Sequence, residues 1–244
     1  MNGKRAVVTG AASGIGQAVA LRMLRDGEQV LAVDLDAARL EPVREAGAEV
    51  LVADLGTAEG CDAVASVGAG ADHLVNAAGI IRLRDIFTMP RDEFRDIFRI
   101  NVESVFFLCQ QLGPTMPSGG AIVNLSSISA KLTATLETAA YAASKTAILA
   151  ITRSFAYALA PQDVRVNAIC PGIIDTPMQD RVLEEVARLR GITASELSDL
   201  RTATVPLGRG ATADECAAAI CFMLSDAASY MTGQAINYDG GMVM

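Results

Sequence analysis

The chain has 244 residues, of which 51% are apolar, and a formal charge of −8 at pH 7. That supplies a large core, while the acidic balance disfavours nucleic acid or an anionic membrane as partner. No run of 18 or more apolar residues occurs, so no membrane-spanning helix is expected.

Five cysteines stand at 61, 109, 170, 216 and 221. The number is odd and Cys-x-x-Cys is absent, so neither a disulfide framework nor a metal site is indicated. Cys216 and Cys221 fall on an expected helix and read as small core residues. The single histidine, His73, begins an expected strand and reads as structural, so any chemistry here runs without histidine. Residues 1–5 lead straight into a strand and leave no room for a secretory leader. A reduced, cytoplasmic protein is expected.

Residues 4–9 read as a short buried strand. Thr-Gly-Ala-Ala-Ser-Gly-Ile-Gly follows over 9–16, then an amphipathic run over 17–25. Strand, glycine turn and helix in succession form an anion cradle. The glycines let a pyrophosphate approach, and the new helix offers it free N–H groups. The spacing is Gly-x3-Gly-x-Gly rather than the usual Gly-x-Gly-x-x-Gly. A second strand over 29–33 runs into Asp34-Leu35-Asp36. An acid about 20 residues beyond the turn is placed for the adenosine ribose of a dinucleotide. Its charge opposes the 2′-phosphate of NADP, and 34–38 and 10–16 hold no Arg or Lys, which argues for NAD. Asp36 suits a helix N-cap better than Asp34 does.

A third strand is expected over 49–53, followed by Asp54-Leu55, then only a short helix between 57 and 71. A fourth strand over 72–75 precedes Asn76-Ala77-Ala78-Gly79. Residues 91–112 read as one long helix with Asn101 in its apolar middle. There Asn101 either caps a local distortion or has a function. A fifth strand over 121–125 ends in Ser126-Ser127. The next helix runs to about 160 and carries Tyr141-Ala-Ala-Ser-Lys145, whose phenol and ammonium lie one turn apart on one face. The ammonium is expected to lower the phenol pKa from about 10, making a proton-transfer pair. A sixth strand over 164–169 leads to Pro171-Gly172. One or two helices broken at Gly191 follow over 177–201, then a helix over 213–224 and a last strand over 235–238. Alternating strands and helices give an α/β fold, a doubly wound parallel sheet in one domain. Its ligand edge gathers the strand ends, where Asn76, Ser127 and Pro171-Gly172 converge with the glycine turn.

These motifs, with Asn101 and Thr176, occur in an order and spacing that resemble the short-chain dehydrogenase/reductase family over the whole chain. The resemblance implies a Rossmann-type sheet of about seven strands covering 1–244, a substrate lid at about 173–201, and a homotetramer. It implies Tyr141 as general acid/base, Lys145 as its partner and ribose ligand, Ser127 on the substrate oxygen, and Asn101 holding a water. Cofactor contacts are implied for Gly10, Ser13, Gly14, Ile15, Gly16, Asp34, Asp54, Leu55, Asn76, Ala77, Gly79, Pro171, Gly172, Ile174 and Thr176.

The chain departs from the family pattern in three places. Ala77 replaces an Asn, Ala130 replaces a Gly, and one extra residue falls within 131–138 between Ser127 and Tyr141. The expected reaction is NAD-dependent interconversion of a secondary alcohol and a ketone on a small hydroxylated compound: a polyol, sugar, sugar acid or hydroxy acid. The polar loop 131–138 and Arg82 suit such a substrate. The mixed charges of 173–201, Arg181, Arg188, Arg190 and Arg201 among them, read as a solvated face. The alternatives are a 3-oxoacyl-(acyl-carrier-protein) reductase and, in another class, a non-catalytic nucleotide sensor or scaffold.

Overall fold

The structure is a computed structural model that describes residues 3–132 and 136–243. In chain order the main elements are β1 (Arg5–Thr9), α1 (Gly14–Arg25), β2 (Gln29–Asp34), α2 (Glu41–Glu45), β3 (Glu49–Val52), α3 (Ala58–Gly68) and β4 (His73–Asn76). Then come α4 (Arg91–Phe98), α5 (Ser104–Leu112), β5 (Ala121–Leu125), α6 (Ala139–Leu159) and β6 (Arg165–Pro171). The chain closes with β7 (Ile174–Asp175), α7 (Pro177–Arg190), α8 (Ala194–Thr202), β8 (Ala211–Thr212), α9 (Ala213–Leu224) and β9 (Ala235–Tyr238). Seven strands form one parallel sheet in the order β3-β2-β1-β4-β5-β6-β9. The two-residue strands β7 and β8 pair apart from it.

The strands are short apolar runs because both sheet faces are covered. Side chains alternate between faces, so each strand feeds two cores. Ala6, Val8, Val30, Ala32 and Val123 pack with Val19, Met23 and Ile220 of α1 and α9. Val7, Leu31, Val33, Leu74 and Ile122 pack with Val64, Leu108 and Ile148 of α3, α5 and α6. His73 is buried, and its Nδ1 hydrogen-bonds to Glu28 Oε2 at 2.9 Å.

The strand order reverses between β1 and β4, which opens a crevice beyond their C-terminal ends. Two glycines make room there. Gly10 has φ +68°, and a Cβ on it would come within 2.8 Å of the Ala77 carbonyl carbon. A Cβ on Gly16 would overlap the Gly10 carbonyl.

The expected long helix over 91–112 is interrupted. Between α4 and α5 the turn Arg99–Glu103 is a π-helix centred on Asn101, the kind of bulge common at functional sites. The helix after 57 is eleven residues long, not short. Gly191 ends α7 in the left-handed conformation, φ +68°, where the sequence placed the break. Asp36 does not start a helix directly. Its Oδ1 accepts from Ala38 and Arg39 N–H, both at 3.1 Å, and closes a turn ahead of α2.

Candidate active site

The crevice is a cleft of about 710 Å³. Gly10, Ser13, Gly14, Ile15 and Gly16 line it from the glycine turn, and Asp34, Asp54 and Leu55 from the ends of β2 and β3. Ala77, Gly79, Ser127, Tyr141, Lys145, Pro171, Gly172, Ile174 and Thr176 complete the part named from the sequence. The Ser13 side chain makes no capping bond, so the first-turn N–H groups of α1 meet the cleft without a side-chain acceptor. The Asp34 carboxylate accepts from Ala12 N–H at 3.0 Å and Asp36 N–H at 3.2 Å. This ties β2 to the glycine turn and leaves lone pairs for a ligand. Arg39, one residue beyond the 34–38 segment that lacks Arg and Lys, pairs with Asp36 at 3.4 Å. Thr176 caps α7 and accepts from Gln179 N–H at 3.3 Å.

Asn76 is a correction. It is buried two residues after Leu74, on the same sheet face, and does not line the cleft. Its Nδ2 donates to Asn124 Oδ1 at 2.8 Å, and Asn124 Nδ2 donates in turn to Thr152 Oγ1 at 3.0 Å. Strand alternation carries it under α5, and the chain meets the crevice from Ala77 onward. The residue that shapes this bend is Thr9, whose hydroxyl accepts from Ala77 and Ala78 N–H at 3.1 and 3.2 Å.

Asn101 also lies behind the cleft wall and is fully buried. Its amide clamps one peptide unit: Oδ1 accepts from Ile80 N–H at 2.8 Å, and Nδ2 donates to Ile80 C=O at 2.9 Å. Nδ2 also reaches Ser144 Oγ at 3.1 Å. The π turn therefore presents an amide that joins the segment after β4 to α6. A Cβ on Gly79 would stand 3.3 Å from Asn101 Oδ1 and 3.5 Å from Lys145 Nζ, so these groups share one small space.

The Ser127 hydroxyl accepts from Ser129 N–H at 3.1 Å and hydrogen-bonds to the Tyr141 phenol. Lys145 is buried, and its Nζ donates to Leu125 C=O at 2.8 Å. Ser126 Oγ donates to the Lys145 carbonyl, which locks the start of α6 to the end of β5. The expected depression of the Tyr141 pKa is corrected in this state. Burial pushes the phenol up to about 12, against the smaller opposing effect of its bond to Ser127. Burial also lowers Lys145 from 10.5 to about 8, opposed by Cys170. With Nζ 5.8 Å from the ring centroid, desolvation outweighs the attraction of phenolate and ammonium. Tyr141 therefore holds its proton at neutral pH.

A stability effect follows. The folded pKa of Lys145 lies below the unfolded one, so the fold disfavours the charged amine. The penalty is fully present below pH 8 and is relieved as pH rises from 8 to 10.5. Lys145→Met is expected to raise stability at pH 7 by roughly 2–3 kcal/mol at most. The gain should shrink between pH 8 and 10.5; urea titrations at pH 7 and pH 10 that give the same difference would refute this.

Further residues line the cleft that the motifs did not mark: Ile80 and Ile81 after β4, Ile100 of the π turn, and Met242 near the C-terminus. No local pattern signals them, because they arrive from separate parts of the chain. Arg181, Arg190 and Arg201 line it too; Arg181 and Arg190 are exposed, as the solvated-face reading has them, Arg201 is half-buried, and Arg188 stays outside. Arg82 does not line it. Of the polar loop, Thr138 does, but Lys131 turns to β9, bonding Ala235 C=O at 2.8 Å and Asn237 Oδ1 at 2.6 Å. Residues 133–135 lie outside the described residues. No cluster of His, Cys, Asp or Glu able to hold a metal occurs among the described residues, and no helix among them is long and apolar enough to cross a membrane.

Comparison with known proteins agrees with this geometry. A family model described as enoyl-(acyl carrier protein) reductase matches residues 10–243. The 3-oxoacyl-(acyl-carrier-protein) reductase FabG of Thermotoga maritima is 35% identical, covering 100% of this chain and 99% of its own. The galactitol 2-dehydrogenase (L-tagatose-forming) of Cereibacter sphaeroides is 36% identical over 99% and 95%. The crystal structure of L-sorbose reductase from Gluconobacter frateurii, complexed with NADPH and L-sorbose, superposes with a TM-score of 0.90. It is 30% identical over 99% and 97% of the two chains. The chain belongs to the short-chain dehydrogenase/reductase family, NAD(P)-dependent oxidoreductases acting on CH–OH groups.

Proposed function

We propose that the enzyme uses NAD to interconvert a secondary alcohol and a ketone on a small hydroxylated substrate. The observation that carries this reading is that Ser127, Tyr141 and Lys145 meet in one cleft with the Asp34 carboxylate. The cofactor supplies the hydride at its nicotinamide C4. Gly10 and Gly16 leave its pyrophosphate space that a Cβ would take, and the uncapped N–H groups of α1 offer it donors. Asp34 accepts from the adenosine ribose, Asp54 and Leu55 border the adenine, and Pro171, Gly172, Ile174 and Thr176 border the nicotinamide.

Tyr141 gives its phenolic proton to the ketone oxygen, or takes one from the alcohol. Ser127 bonds that oxygen and orients it. Lys145 holds the nicotinamide ribose. Asn101 fixes the Ile80 peptide and, with a water, opens a proton path from Lys145. The helices α7 and α8 act as the lid, pinned by Val186, Ala187 and Leu197 against Leu83.

A cytoplasmic homotetramer is part of the proposal, with exposed Phe106, Phe107 and Tyr157 of α5 and α6 as its contact surface. Ile148 of α6 is buried within the chain and contributes nothing there. Light scattering should give about four times 25.4 kDa, and a monomeric mass would refute the assembly.

The galactitol and sorbose enzymes support the hydroxylated substrate class. The Thermotoga relative favours a second reading, reduction of an acyl-carrier-linked ketone. The test is NADH fluorescence on binding, followed by turnover on secondary alcohols, sugars, hydroxy acids and an acetoacetyl thioester. Turnover of the hydroxylated compounds over the thioester supports the first reading, and the reverse order supports the second. Binding without any turnover would leave a nucleotide sensor.

A further inference from the structure

Every acid that lines the cleft sits on the adenosine side: Asp34, Asp36 and Asp54. The part lined by α7 and α8 holds Arg181, Arg190 and Arg201 and no acid. These helices follow β6, four strand positions from β2 in the sheet, roughly 20 Å at about 4.8 Å per strand.

Arg201 is half-buried among these cleft-lining residues, and Arg181 and Arg190 are exposed. On α7 the cleft-lining residues Met178, Val182, Val186 and Arg190 recur every four residues, and on α8 Leu197, Leu200 and Arg201 stand at the three- and four-residue spacing of one helix face. The acids of these helices are committed elsewhere or exposed. Glu185 reaches Arg84 at 3.7 Å, and Glu196 caps α8 through Thr193 N–H at 2.8 Å. Asp180, Glu184 and Asp199 are exposed, and no ion pair joins Arg181, Arg190 or Arg201 to a carboxylate among the described residues. Arg201 is half-buried; burial and then the like charge of Arg190 disfavour its charged form. A half-buried guanidinium with a like charge acting on it and no counter-charge is disfavoured, and an anion joining Arg201 and Arg190 would relieve it. Planar forks of N–H donors match the oxygens of such an anion.

We infer that the substrate carries an anionic group, held by Arg201 and Arg190 under α7 and α8 while its hydroxyl or keto carbon lies at Tyr141. This rests on the dehydrogenase reading and narrows it, from hydroxylated compounds in general to small hydroxy or keto acids. Carboxylate, sulfonate and phosphate share the chemistry.

The probe is malonate, which has charge and no reacting hydroxyl. It is titrated calorimetrically into the protein with and without NADH, and methylsulfonate and inorganic phosphate form the other arms. Binding of any of the three should weaken at least tenfold in Arg201→Gln and in Arg190→Gln, and Arg201→Lys should keep part of it. The strongest of the three names the anion. The NADH affinity of these variants, read by fluorescence, should stay within about twofold of the parent. Arg190 is exposed, so its variant is expected to fold even if the Arg201 variants do not. Anion binding that is absent, or that is unchanged in Arg190→Gln, would overturn the inference. So would a parallel loss of NADH affinity, which would assign the arginines to the cofactor phosphates. Failure of NADH to bind the parent protein would strike the dehydrogenase reading instead, while the titration without NADH still decides the anion site.

Discussion

Tyr141→Phe is expected to lower kcat for ketone reduction by roughly 10²–10⁴-fold, the usual worth of general acid help, and to leave NADH binding intact. The phenol, hydrogen-bonded to Ser127, holds a donatable proton at neutral pH, because burial in the cleft raises its pKa to about 12. A phenyl ring fills the same space, so the loss is of the proton and not of shape. The Ser127 hydroxyl keeps its bond from Ser129 N–H in the variant, and stability should change by no more than about 1 kcal/mol. Single-turnover rates and NADH affinity measured side by side check this. A rate within twofold of the parent would remove Tyr141 from the chemistry.

The second large effect concerns cofactor choice. The 2′-phosphate of NADP carries nearly two negative charges, and a phosphate at the ribose position would meet Asp34. Arg39 pairs with Asp36 at 3.4 Å, so that neighbouring cation has its own partner. NAD should be preferred by roughly 10²-fold in kcat/KM, each factor of ten being about 1.4 kcal/mol. The hydrogen bonds of Asp34 refine the test. Asp34→Ala removes the charge but also the acceptor for Ala12 N–H, so it should loosen the glycine turn and weaken both cofactors. Asp34→Asn keeps an acceptor and removes only the charge, and should narrow the preference with less loss on NAD. Leu35 is 65% exposed and borders the cleft, so Asp34→Asn combined with Leu35→Arg should narrow it further. Equal kcat/KM for the two cofactors in the parent would show that Asp34 does not meet the ribose.

The parts of the fold that were legible in the sequence are those governed by local rules. Apolar strand runs, the glycine turn, the break at Gly191 and the Tyr141–Lys145 spacing are each set by a few neighbouring residues, and the structure has them where the sequence put them. Asn76 was misplaced because its fate depends on which sheet face the last residue of β4 occupies, and on Asn124 and Thr152, distant in the chain, waiting there. A local distortion at Asn101 was one of the two readings its position left open, but its form as a π turn was not legible, for a similar reason. The tertiary partners of Asn101, Ile80 and Ser144, are what make a distorted helix with a buried amide worth its cost. The pKa of Tyr141 was misjudged because spacing reveals a nearby ammonium but not the dryness of the cleft. The partial burial of Arg201 was not legible because mixed charge at helical spacing looks the same whether the stripe faces water or a cavity.

The most direct measurement of the central claim is the fate of deuterium from NADH labelled at C4. The enzyme is incubated with each C4 epimer and a panel of small ketones, keto acids included, and the products are analysed by mass spectrometry. The account predicts deuterium on the carbinol carbon of the product from one epimer only, and none in the Tyr141→Phe control over the same time. NADH that binds in the cleft while no ketone gains deuterium from either epimer would contradict it, and would leave a nucleotide-binding protein in which Ser127, Tyr141 and Lys145 perform no transfer.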